Sequence, residues 1–228
     1  MIRKLFKFSI RLLLLLLLLV VASVVALRWL PVPTSSFMLQ SKSEVDYQWV
    51  GRERIAPQMA LAVVAAEDQR FPYHGGFDMV EIEKALAENA MPRGASTITQ
   101  QVAKNLFLWS GRSYLRKGIE AGIALLIEAT WSKRRILEVY LNIAQFGDGV
   151  YGVEAASWTF FDRPAASLTA RQSALLAAVL PNPLIHRVDQ PRSATQRRQK
   201  WILRQMRNLG GIGYLENLDE AGWSEPRR

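Results

Sequence analysis

At 228 residues, half of them hydrophobic, the chain can bury one sizeable core and still carry an appendage. It has no cysteine and two histidines, His74 and His186, which excludes a disulfide framework and thiolate chemistry and argues against a histidine zinc site. The net charge of +9 is segregated: residues 1–30 carry five bases and no acid, 44–92 nine acids and four bases, 104–135 seven bases and two acids, and 187–207 seven bases and one acid. Basic stretches beside an apolar N-terminus point to anionic lipid or phosphate partners; nucleic acid is the other usual reading of such charge.

Leu12 to Leu27 contains one polar residue, Ser23, and is bracketed by Arg11 and Arg28. Extended through Leu30, it approaches the roughly 20 residues that span a bilayer core. Residues 12–30 are therefore expected to form a transmembrane signal-anchor, with the basic residues 1–11 in the cytoplasm and the rest of the chain across the membrane. Val24-Val25-Ala26 has the small residues of a cleavage site. The length of the apolar run and the interfacial position of Trp29 favour an uncleaved anchor. Residues 31–54 read as a stiff linker from Pro31 to Ser36, then an irregular lead-in.

Pro57 suits a first helical turn, and the helix it opens runs to about Ala66. Glu67 and Asp68 stand at its end, where negative charge opposes the helix dipole. An aromatic, His74 and Gly75-Gly76 follow. Met79 to Asn89 has helical spacing and is stopped by Met91-Pro92-Arg93-Gly94. Thr97 to Gln100 has the form of a capping box and opens a helix through about Leu108. In the helix Ser113 to Trp131, Leu115, Ile119, Gly122, Ile123 and Leu126 share one side, and Arg116, Lys117, Glu120, Ala124 and Glu128 the other. Leu125 and Ile127 widen the apolar side, so this helix is expected to be central and mostly buried. Ser132 caps Lys133 to Asn142, and Val150 to Phe161 follows the turn at Gly147-Asp148-Gly149. A second capping box, Thr169 to Gln172, precedes Ser173 to Leu180. Thr195 to Leu209 is a basic amphipathic helix. No segment alternates as a strand and no repeat is present, so the fold class is mainly α.

Four constellations bear on chemistry. Glu67 and Glu120 both sit beside apolar sequence, which raises a carboxylate's pKa and fits it to act as a base; Glu120 equally fits a simple pair with Arg116 one turn earlier. Gly94 to Asn105 places small hydroxylic residues at a helix start, with Gln100 and Lys104 one turn apart and Gln101 beside them. That suits a phosphate or sugar grip, or an ordinary capped helix with a solvated face. Arg112, Arg116 and Lys117, with Lys104, suit a diphosphate, or an exposed basic helix start. Phe71-Pro72-Tyr73, Phe77 and Leu106 to Trp109 would dip into lipid or join the core.

Taken together, these stretches resemble the peptidoglycan glycosyltransferase family, in its membrane-anchored monofunctional form. The resemblance rests on Glu67-Asp68 with Phe71, His74, Gly76 and Asp78; on Gly94 to Gln101 with Lys104-Asn105; on Arg116-Lys117 with Glu120; on Ile136 to Asn142 running on through Phe146-Gly147 and Tyr151-Gly152 to Glu154-Ala155-Ala156; and, more weakly, on Ala174 to Ala177 with Pro181-Asn182-Pro183. It implies a lysozyme-like, mainly α domain, here expected over residues 55–215 with a tail at 216–228. The implied activity is polymerisation of lipid II outside the bacterial cytoplasmic (inner) membrane, with release of undecaprenyl diphosphate. By similarity Glu67 is the general base and Glu120 assists the leaving group. Lys104, Arg112, Arg116 and Lys117 match the diphosphate grip. Phe71, Ser96, Thr97 and Gln101 match cleft-lining positions, and Gln100 and Asn105 belong to the same substrate-binding motif. The implied partners are lipid II, the growing glycan strand, the membrane and other cell-wall synthesis or division proteins, without nucleic acid. Some relatives carry a base where this chain has Ile119, and a divalent cation (Mg2+ or Mn2+) would make up for that contact. No Ser-x-x-Lys occurs, so cross-linking activity is not expected. A lysozyme-like hydrolase or lytic transglycosylase, and a non-catalytic anchored scaffold, are the competing readings.

Overall fold

The computed structural model describes residues 2–87, 96–111, 113–216 and 218, and it is mainly helical. In chain order the helices are α1 (Ile2–Leu27), α2 (Ser36–Leu39), α3 (Pro57–Glu67), α4 (Met79–Ala87), α5 (Ile98–Phe107), α6 (Tyr114–Thr130), α7 (Lys133–Ile143), α8 (Val153–Phe161), α9 (Ala170–Val179) and α10 (Ser193–Asn208). Residues 88–95, Arg112 and most of the tail at 216–228 lie outside the described residues, and with them the end of the helix expected to reach Asn89.

Both capping boxes form: the Thr97 and Thr169 hydroxyls accept from the N–H groups of Gln100 and Gln172, whose side chains reach back to the cap backbone. Pro57 takes the first turn of α3. This helix is apolar all round and buried from Leu61 through Ala65, with α9 and α10 packed against it and each other. α5 packs against α6 and α7 on the other side of the core. The hydrogen bond from Gln101 to Glu67 joins the C-terminal end of α3 to the half-buried strip of α5.

Two strand segments do occur, against the expectation of none: Asp46–Tyr47 (β1) pairs in parallel with Val150–Tyr151 (β2). The helix expected from Val150 consequently begins at Val153. Gly152 makes the corner with φ +82, and a Cβ there would lie 2.5 Å from the Asn142 carbonyl oxygen, so only glycine fits. The segment 31–54, expected as a stiff linker at Pro31 to Ser36 and then an irregular lead-in, packs onto the domain. Val32, Met38 and Val50 are buried, the Tyr47 hydroxyl donates to the Val32 carbonyl, and the Asn142 amide exchanges hydrogen bonds with both backbone groups of Val50.

α1 is the one helix among the described residues long and apolar enough to cross a membrane, over Arg3–Leu27. Its flanks are exposed except near the end, where Val24 is fully buried. Trp131 Nε1 donates to the Val24 carbonyl at 2.8 Å, and the Arg135 guanidinium donates to the carbonyls of Leu27 and Leu30 while pairing with Glu138 at 2.6 Å. α1 is thus docked onto the domain through carbonyls at and just past its C-terminal end, where a cation also meets the negative end of the dipole.

α6 departs furthest from its expected placement. Its buried side is Glu120, Ile123, Ala124 and Ile127, whereas Leu115 is 73% exposed and Leu125 53%. The helix is thus turned partly away from that placement: Leu115, Ile119 and Leu125 point outward, while Ile123 and Ile127 stay buried and Glu120 and Ala124 of the charged side join them. The physical reason is that Glu120 is satisfied inside by its own cations, described below, so the helix can turn its aliphatic residues away from the core. Of the apolar pieces thought to reach lipid, Phe71, Pro72, Leu106 and Leu108 are core residues; Trp109 is 44% exposed.

Candidate active site

Glu67 is the last residue of α3, and its side chain is 12% exposed. Gln101 Nε2, from α5, donates to Glu67 Oε2 at 2.9 Å. Arg198 Nη2, from α10, donates to Oε1 at 3.0 Å and to the Ala66 carbonyl at 3.3 Å. Tyr140, fully inside α7, donates its hydroxyl to Gln101 Oε1 at 3.1 Å and so fixes which end of that amide faces Glu67. Burial pushes the Glu67 carboxyl above the usual carboxylate range, opposed by the hydrogen bond from Gln101 and by the charge and hydrogen bond of Arg198. Each carboxylate oxygen receives one protein donor, which leaves acceptor capacity for a substrate proton.

The following loop is pinned rather than free. Asp68 Oδ2 accepts the Ile98 N–H at 3.0 Å, at the start of α5, and Oδ1 lies 2.9 Å from His74 Nε2. The Thr97 hydroxyl donates to the Gly76 carbonyl at 2.7 Å. Lys133 Nζ donates to the His74 carbonyl and to Glu128 Oε1, and lies over the Phe71 ring. Asp68 and His74 therefore shape the support of Glu67.

One turn along α5 from Gln101 is Lys104. Burial holds its ammonium below the ordinary lysine value; Glu120 and Glu67 oppose that, and Arg116 and Lys117 reinforce it. Lys104 feels both carboxylates, which places the two acids around one stretch of α5. Its Nζ sits 5.4 Å from the Phe37 ring centroid and makes no ion pair among the described residues. Glu120 is 2% exposed. Its Oε2 accepts from Arg116 Nη1 at 2.6 Å and its Oε1 from Lys117 Nζ at 2.5 Å. Lys117 Nζ also donates to Ser96 Oγ at 3.2 Å, and Arg116 Nε to the Gly111 carbonyl. Arg116 and Lys117 are held by one buried carboxylate with Lys104 within its electrostatic reach, an arrangement of cations that suits an anion. Both Glu120 oxygens are engaged by cations, and no group of three or more His, Cys, Asp or Glu side chains stands together among the described residues, so the described residues offer no ready-made divalent-cation site.

The structure therefore brings together Glu67, Gln101, Lys104, Ser96, Arg116, Lys117 and Glu120. It sets others apart. Phe71, expected to line the cleft, is fully buried with its edge to His74. Thr97 and Gln100 are buried and spend their side chains on the cap of α5, so Gln100 does not share a substrate face with Lys104. Asn105 keeps a buried Oδ1 without a protein partner. Arg112 lies outside the described residues. Arg198 and Tyr140 were not singled out from the sequence as site residues. The signal for Arg198 was present: Thr195, Ile202 and Met206 are the buried positions of α10, and Arg198 falls on their stripe in an otherwise solvent-facing basic helix.

A buried carboxylate beside a cation cluster, on a helical domain that carries one apolar helix long enough to cross a membrane, suits an enzyme acting on an anionic substrate. Residues 35–207 match the transglycosylase family profile, beginning well upstream of the expected domain start at 55. The chain is 53% identical over 227 residues to a biosynthetic peptidoglycan transglycosylase of Klebsiella oxytoca, covering 93% of this chain and 94% of that protein. It is 51% identical over 225 residues to the protein of the same description from Cronobacter sakazakii, covering 93% of each, and 51% identical over 223 residues to that of Pectobacterium carotovorum, covering 92% and 91%. The chain belongs to the transglycosylase family.

Proposed function

We propose that this protein is a membrane-anchored peptidoglycan glycosyltransferase that joins lipid II units into glycan strands on the outer side of the bacterial cytoplasmic membrane. The observation that carries the reading is the face of α5. It holds the buried Glu67 through Gln101 and, one turn on, presents Lys104 to the Glu120 cation cluster. A proton acceptor and a diphosphate grip are the two groups that this transfer needs.

In this reading the 4-hydroxyl of the acceptor N-acetylglucosamine gives its proton to Glu67 as its oxygen bonds to the anomeric carbon of the donor N-acetylmuramic acid. The bond from that carbon to the diphosphate breaks on the opposite face, with inversion. The electron pair leaves with undecaprenyl diphosphate, whose charge is met by Lys104, Arg116 and Lys117. Glu120 acts by holding Arg116 and Lys117 in place. The outward apolar face of α6, bearing Leu115, Ile119 and Leu125, supports contact with the bilayer beside α1, which packs against the same helix. Substrate drawn from the bilayer then meets the cation cluster on the inward face of that helix.

The test is incubation of the purified full chain with lipid II and, separately, with preformed glycan. Polymer from lipid II without cleavage of glycan is the expected result. Cleavage of glycan with no polymer would overturn the reading in favour of a lytic enzyme.

A further inference from the structure

We infer that Arg198 is a positioning residue for the base, setting both the orientation and the proton affinity of Glu67 from α10. The inference rests on the glycosyltransferase reading for its activity assay, and on geometry for its physical content. A carboxylate at the C-terminus of α3 faces the negative end of that helix, in a mostly buried setting. Both circumstances favour the protonated acid, which is useless as a base. Arg198 answers both with one nitrogen: Nη2 donates to Glu67 Oε1 at 3.0 Å and to the Ala66 carbonyl, one of the last carbonyls of α3, at 3.3 Å. It thereby places a cation at the negative end of the helix and fixes one oxygen, while Gln101 fixes the other.

Among the described residues, the groups around Glu67 leave Arg198 as its one direct cationic partner. Asp68 follows it and is taken up by Ile98 and His74. From α5 come neutral Gln101 and, one turn further, Lys104, which makes no ion pair among the described residues. From α7 comes Tyr140, held un-ionised by burial. The side chains that α9 buries are Ser173 and apolar residues. Tyr214 donates to the Gln69 carbonyl, not to Glu67. Arg198 is itself held by its place in the chain: it stands on the buried stripe of α10 between Thr195 and Ile202, with its guanidinium 6.0 Å from the Trp201 ring centroid. It touches Glu67 and backbone, so its effect passes through Glu67.

The experiment compares wild type, Arg198→Met and Arg198→Lys as full chains in detergent, measuring lipid II polymerisation across pH and titrating the Glu67 carboxylate by carbon-13 NMR. Removing a cation in contact with a carboxylate raises that carboxylate's pKa by about one unit or more. In Arg198→Met the acid limb of kcat moves up by about that much, kcat at neutral pH falls by about tenfold or more, and KM stays within about twofold. Arg198→Lys keeps the charge and restores the position of the limb with part of kcat. An unmoved acid limb and an unmoved Glu67 titration in a folded Arg198→Met protein would overturn the inference, whatever happens to the rate. Should the methionine variant fail to fold, Arg198→Gln against Arg198→Lys makes the same comparison. If the wild type makes no polymer, the glycosyltransferase reading fails, and the NMR titration still decides whether Arg198 controls Glu67.

Discussion

Replacing Glu120 by glutamine removes one charge and almost no volume from the centre of the cation cluster. The Glu120 side chain is 3% exposed, Arg116 11% and Lys117 46%. Two unit charges whose centres are about 4 Å apart interact by about 4 kcal/mol at an effective dielectric near 20. Lys117 contributes the smaller share, because nearly half of it faces water. The amide oxygen still accepts one hydrogen bond, so the net loss is about 2 kcal/mol, below the roughly 3–5 kcal/mol seen when a buried partner is deleted outright. For a chain of this length that lowers Tm by about 4–8 °C. With the central carboxylate gone, Lys104, Arg116 and Lys117 repel one another, and polymerisation falls by about tenfold or more, while the acid limb stays where Glu67 puts it. Thermal unfolding and the pH profile of polymerisation check this. An unchanged Tm with activity abolished would show that Glu120 takes part in the chemistry itself. Full activity would remove it from the site.

The wild-type rate should fall on acidification through a midpoint above the ordinary carboxylate range, because burial raises the Glu67 pKa and the protonated acid cannot accept the hydroxyl proton; a midpoint at or below the ordinary glutamate value would contradict this. Gly152→Ala forces a side chain into φ +82 and to 2.5 Å from the Asn142 carbonyl, so it should cost several kcal/mol, about 3 or more, seen as a low Tm or loss of soluble protein. Arg135→Ala frees the carbonyls of Leu27 and Leu30 and leaves Glu138 unpaired; a loss of about 1–2 kcal/mol in detergent, and earlier proteolysis between residues 27 and 36, is expected.

The local rules written into the sequence held where a residue acts on its own backbone. Thr97, Ser132 and Thr169 cap the helices they were expected to cap, and Pro57 opens α3, because those contacts span three or four residues. The pairing of Glu120 with Arg116 was legible for the same reason. What depends on distant neighbours was not. The outward turn of α6 follows from Glu120 being satisfied by cations, which reverses the usual rule that the charged face is the wet one. The lead-in folds onto the domain because Asn142, far along the chain, supplies both hydrogen bonds to Val50. Phe71 joins the core because Lys133 and His74 cover it. Arg198 meets Glu67 across 131 positions, and nothing short of the packing of α10 on α3 brings them together.

The most direct test of Glu67 as the base is lipid II polymerisation by wild type and Glu67→Gln at equal concentration, with thermal unfolding of both. Glutamine can keep the contact with Arg198 and, once the Gln101 amide reverses, the contact with α5 as well; Tyr140 can then accept in place of donating. Because the folded state holds Glu67 at a raised pKa, the ionised carboxylate works against the fold at neutral pH, and that penalty is absent from the amide. The account predicts no polymer from Glu67→Gln and a Tm no lower than wild type. Polymerisation by Glu67→Gln at a rate near that of wild type would contradict it.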